Sequence, residues 1–145
     1  MIKILIKVIA VIVLIFALYT YIKYNTWKTS NEKFNTLYQE DKYDEASIVA
    51  QKELTCAEEI PFFSKYYIGP SLNNLGKACQ GQKKYAEAES YYKRSLATAE
   101  SVSGENSIEA ATVSENMAKL YKETGKQEES QKLLEQSQKI KAARQ

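Results

Sequence analysis

Histidine is absent from the 145 residues, and with it go the commonest general base, the commonest metal ligand and any Ser/His or Cys/His nucleophilic arrangement. Cysteine is scarce: Cys56 and Cys79 form neither a CxxC pair nor part of a ligand cluster, so no metal site is expected. The five glycines include no phosphate-cradling loop. Carboxylates are plentiful, but neighbours such as Glu87/Glu89 and Glu128/Glu129 lack a pocket-forming motif and point to different faces of one helix. No catalytic residue, metal or cofactor is expected, and the chain is not read as an enzyme. A charge excess of one sign is missing too. Setting aside Lys3, Lys7 and Lys23 near the N-terminus, 17 basic residues stand against 18 acidic ones. That balance, interspersed along the chain, argues against a nucleic-acid partner.

What is present begins with a long apolar run. Ile4 to Ile22 reads ILIKVIAVIVLIFALYTYI, with Lys7 its only charge. As a helix these residues reach about 28 Å, close to the roughly 30 Å of a bilayer's hydrocarbon. Lys3 and Lys7 can snorkel to headgroups at one end, and Tyr19, Tyr21, Tyr24 and Trp27 crowd the other, where amphipathic rings favour the interface. A cleaved signal needs a small-x-small pattern after the run, where Ala17-Leu18-Tyr19-Thr20-Tyr21 stands instead. Residues 1–25 are therefore read as a retained transmembrane anchor that meets the bilayer through residues 4–22. Cleavage to a secreted or periplasmic form is the alternative. The basic N-terminus argues for a cytoplasmic start and an extracytoplasmic remainder, a bias weakened by Lys23 and Lys28 on the far side.

Sliding the rest of the chain by 42 residues superimposes three segments. Tyr43-Asp44-Glu45-Ala46 falls on Tyr85-Ala86-Glu87-Ala88 and then on Gln127-Glu128-Glu129-Ser130, while Asn74, Leu75, Gly76 and Lys77 fall on Asn116, Met117, Ala118 and Lys119. Within each unit the apolar spacing is helical, as in Leu72, Leu75, Cys79, then Tyr85, Ala88, Tyr92, Leu96. Polar turns at 40–42, 81–84 and 123–126 divide the units into helical hairpins. No stretch alternates with period two, so no sheet is expected.

The segment NLGKACQGQKKYAEAESYYKRSL, Asn74 to Leu96, resembles the tetratricopeptide repeat pattern, with Leu75, Gly76, Tyr85, Ala88, Tyr92 and Ser95 in its signature places. Cys79 stands where an aromatic is usual. The 42-residue spacing and the segment Ala97 to Lys126 are similar to the longer repeats of the kinesin light chain type. The resemblance implies an all-α fold in which the transmembrane helix read from the apolar run is followed by a right-handed superhelical array of about three hairpins. The repeat domain is expected over 26–145, with units at about 27–58, 69–102 and 108–143. It also implies a protein or peptide partner on a concave surface lined by the first helices. The family's groove positions fall on Asn73, Asn74, Lys77 and Gln80 in the second unit and on Glu115, Asn116, Lys119 and Lys122 in the third.

Asparagine suits such a groove because its amide both donates and accepts, as a peptide backbone does. Lys77 and Lys119 favour acidic groups or a terminal carboxylate. Phe62, Phe63, Tyr66 and Tyr67, between Pro61 and Pro70, form a secondary aromatic patch, read as a docking surface, as a patch resting against the membrane, or as packing between repeats. Helical spacing sets Cys56 and Cys79 about 15 Å apart, too far for a disulfide. The leading expectation is a membrane-anchored adaptor. The alternative is a structural subunit that self-associates through a last repeat whose Leu133 and Ile140 lack an obvious capping helix.

Overall fold

A computed structural model describes residues 1–60 and 64–143, which form six α-helices and no strand. They are α1 (Ile2–Gln39), α2 (Tyr43–Glu58), α3 (Ser64–Gly81), α4 (Tyr85–Ser103), α5 (Ile108–Glu123) and α6 (Gln127–Ala142). Consecutive helices pack antiparallel, giving three hairpins stacked in a right-handed array. Pro61, Phe62 and Phe63 of the aromatic patch lie outside the described residues.

No glycine or proline occurs from Ile2 to Gln39, so nothing interrupts α1 over its 38 residues. The apolar run and the first helix of the first hairpin are one rod, continuous through residue 25. The most apolar 18-residue window of α1 has a mean hydropathy of 2.7 and no residue buried against the rest of the chain. Burial begins beyond it, at Ser30, Phe34 and Leu37.

The three hairpin turns repeat one geometry. Lys42, Lys84 and Lys126 precede α2, α4 and α6 with φ near −83° and ψ of 62°, 66° and 67°. Their amides donate back to Leu37, Cys79 and Tyr121, the six-to-one bond that closes a helix C-terminus with a left-handed residue before it. That residue is Asp41 (φ 57°), Lys83 (φ 62°) and Gly125 (φ 82°), so only the third turn uses the amino acid suited to it.

Each hairpin fills its interior with one large and one small partner, but not on the same helix. Gly76 on α3 faces Tyr92 on α4 so closely that a Cβ would lie 2.6 Å from the ring. In the third unit Ala118 and Leu134 hold these places, and in the first they are exchanged, with Phe34 on α1 and Ala50 on α2 both fully buried. Phe34, Leu37, Leu54, Leu72 and Leu75 build one core; Cys79, Tyr92, Val113, Met117 and Leu120 build the next.

α3, Ser64–Gly81, carries Pro70 inside it. The proline withdraws the amide that the Tyr66 carbonyl would accept, and Ser95 of α4 donates to the neighbouring carbonyl of Gly69 at 2.8 Å. Ser107 caps α5, accepting from the Ala110 amide at 3.1 Å. Cys56 and Cys79 are both free and buried. On α6, Ile140 is only 8% exposed and Leu133 packs on the second core, while Lys132, Glu135 and Lys139 face outward.

Candidate functional site

Among the described residues α1 approaches α3 and α3 approaches α5, whereas α2, α4 and α6 do not approach one another. The first helices therefore line the inner side of the curve. Their side chains bond across it in rungs. The Asn116 amide donates to Asn73 Oδ1 at 2.9 Å. Gln80 bridges helices, accepting from the Tyr92 hydroxyl at 2.9 Å and donating to Glu123 Oε1 at 2.7 Å. Lys77 extends over the aromatic rings of the first unit, 4.4 Å from the Tyr38 centroid and 5.1 Å from that of Phe34.

Lys77 and Lys119 share this surface and repel. Burial, reinforced by the charge of Lys119 and opposed by Glu53, pushes the Lys77 ammonium below its ordinary value. Among the described residues neither lysine has a carboxylate within ion-pair distance, although Lys23, Lys93, Lys126 and Lys141 each do. Lys119 and Lys122 are exposed. Glu115 is half-buried and held by Lys141 at 2.7 Å, which directs it toward α6.

Asn74 behaves differently from its neighbour. Adjacent helical residues point about 100° apart, and Asn74, only 6% exposed, turns into the interior, where its amide donates to Glu53 Oε2 at 2.9 Å. Glu53 is wholly buried, and among the described residues its Oε1 has no hydrogen-bond partner. Burial pushes its carboxyl up to about 7, against the Asn74 hydrogen bond, the polar Asn31 side chain and the charge of Lys77. The second and third hairpins place Ser95 and Ser137 where the first has Glu53.

The first unit contributes to this surface too, through residues outside the positions expected from the resemblance. Asn31 and Tyr38 lie one period before Asn73 and Gln80, so carrying the repeat step backward identifies both. Glu123, which closes the rung with Gln80, had no such signal. Tyr67 packs inward, its centroid 4.7 Å from that of Trp27, while Tyr66 is half exposed. The aromatic pair is thus split between the interior and the surface.

A family model described as tetratricopeptide repeat matches residues 67–143. Among solved structures, the crystal structure of the TPR domain of Arabidopsis FLU is similar, with a TM-score of 0.68 at 21% identity, covering 79% of this chain and 93% of that one. No curated protein matches the chain. The family match spans more than half of the residues and falls on the two hairpins whose packing follows the repeat signature, so the chain belongs to the tetratricopeptide repeat family.

Proposed function

We propose that this protein is a membrane-anchored adaptor whose repeats hold an extended peptide segment carrying acidic groups, scaffolding a complex and catalysing nothing. One observation carries the reading. Lys77 and Lys119, on neighbouring first helices, share the inner face without a carboxylate partner among the described residues. An incoming carboxylate relieves their repulsion, and a half-buried ammonium on aromatic rings loses less to solvent than an exposed one. Asn73 and Asn116 add donors and acceptors of the kind a peptide backbone matches.

The anchor reading rests on the exposed apolar half of α1, with Lys3 and Lys7 at its start and Tyr19, Tyr21 and Tyr24 at its end. It places the N-terminus in the cytoplasm and the repeats on the opposite side. Self-association through the last repeat draws less support, because Ile140 and Leu133 already pack within the chain and the outer face of α6 is charged.

The test is fluorescence anisotropy of the full chain in detergent against labelled extended peptides with acidic C-termini, free or amidated. Binding is expected for free carboxylates, lost in the double variant Lys77→Ala/Lys119→Ala while circular dichroism stays helical. Binding that survives this double change in full discards the groove reading.

A further inference from the structure

Only three large apolar side chains of the described residues beyond Tyr24 are exposed: Ile48, Tyr66 and Ile108. Two of them lie at one end of the array, and that end is fixed relative to α1. The apolar run finishes at Ile22, and in the next turn Lys23 pairs with Glu59 at the end of α2. Tyr24 then meets Tyr67 at 5.6 Å between centroids, and Trp27 donates to Ser71 at 2.8 Å. Ile60 and Tyr67 share a small cavity with Thr20, Tyr21 and Tyr24. The start of α3 therefore lies level with the point where α1 leaves its apolar stretch. Antiparallel packing brings the end of α4 and the start of α5 to the same level, and a cleft of about 280 Å³ runs from Lys65 and Tyr66 across to Val102, Ile108 and Glu109.

We propose that this rim, carrying Lys65, Tyr66 and Ile108, rests in the lipid headgroup layer of the leaflet from which α1 emerges, so that the repeats lie against the bilayer instead of standing free of it. The inference rests on the bilayer reading of α1. A tyrosine ring with an adjacent lysine, Lys65 Nζ being 5.1 Å from the Tyr66 centroid, is the chemistry that partitions to that layer. Charges of both signs line the rim, Lys65 with Glu109 on the cleft and Lys23 with Glu59 beside it. Zwitterionic headgroups suit it, and the contact depends on ring insertion more than on net charge.

The experiment uses the full chain in phosphatidylcholine vesicles with one spin label at a time, at Ile12→Cys, Glu109→Cys or Lys83→Cys, the second on the rim with Tyr66 and Ile108 left intact and the last on the turn at the opposite end. The buried Cys56 and Cys79 are left in place, and labelling of the unsubstituted chain measures their background. Accessibility to a water-soluble nickel chelate is compared with accessibility to oxygen. The expected result is an oxygen-accessible label at 12 and several-fold less chelate contact at 109 than at 83, unchanged by high salt. If 12 is embedded and 109 equals 83, the rim stands in water and this inference is overturned alone. If 12 itself meets the chelate, the anchor reading fails and this one falls with it.

Discussion

Asn116 donates its side-chain amide to Asn73 at 2.9 Å, joining two repeats through residues that differ by one period and a single step. The offset shows how the superhelix advances: the third unit meets the second not at equivalent positions but shifted along the helix. Gln80 and Glu123 have the same displacement. A double-mutant cycle on Asn73→Ala and Asn116→Ala, read by chemical denaturation in detergent, is expected to give a coupling of about 0.5–1.5 kcal/mol. Strict additivity would mean the two amides do not meet.

The close approach of Gly76 to Tyr92 makes a second prediction. Gly76→Ala drives a methyl group into the ring and is expected to lower stability by about 1–3 kcal/mol, despite the better helix propensity of alanine. The third hairpin suggests the remedy, since Ala118 and Leu134 hold the equivalent positions one period on. Adding Tyr92→Leu to Gly76→Ala should recover part of the loss in thermal melts, although the hydroxyl bond to Gln80 goes with the ring. A Gly76→Ala chain that melts like the parent contradicts the packing.

The turns offer a gain. Lys83 occupies a left-handed conformation at φ 62°, which costs a residue with a Cβ about 1–2 kcal/mol. Lys83→Gly is expected to raise stability by about 1 kcal/mol, and Gly125→Ala to lower it by a similar amount. Asp41→Gly should gain less, because aspartate tolerates this region and Asp41 also accepts a bond from the Tyr43 hydroxyl. Denaturation midpoints of the three variants test the ranking.

Glu53 sets a pH dependence with a definite sign. Its carboxyl is raised from 4.5 to about 7 in the fold, so the folded chain binds more protons than the unfolded one between these values. The stability tied to this group is full below pH 4.5, declines through the interval and is gone above about 7. Glu89 works in the opposite sense. Hydrogen bonds from Lys93 and Lys126 lower it to about 2, so its contribution holds above 4.5 and fades as pH falls through 2. Replacing Glu53 by glutamine should flatten the curve between pH 4.5 and 7 and leave the acid limb below it in place, as followed by denaturation at fixed pH values. An undiminished slope in that variant would assign it to other groups.

The second and third hairpins were legible because their small and large residues recur in the order the repeat signature demands. The first was faint before Lys42 for a physical reason: Phe34 and Ala50 invert the pairing of Gly76 and Tyr92, filling the same space from the opposite helix. Pattern matching sees the positions, whereas packing needs only the volume. Asn73 and Asn74 were indistinguishable as letters, and only the rotation between neighbours sends one to Asn116 and the other to Glu53. Glu53 itself gave no warning, because an acidic residue in an amphipathic helix reads as surface. Near residue 25 the side chains change from apolar to polar while the helical backbone of α1 continues, so composition marks the change of surroundings and not the end of the helix.

That continuity fixes a height. With α1 held in a bilayer as proposed, Asn31 and Tyr38 ride on the same unbroken rod about 10 and 20 Å beyond Tyr24, at 1.5 Å per residue. With neither glycine nor proline between Ile2 and Gln39 to act as a swivel, the proposed anchor would present the inner face within a short reach of the lipid. There a large globular cargo would meet the membrane before docking, and a flexible tail would fit the gap.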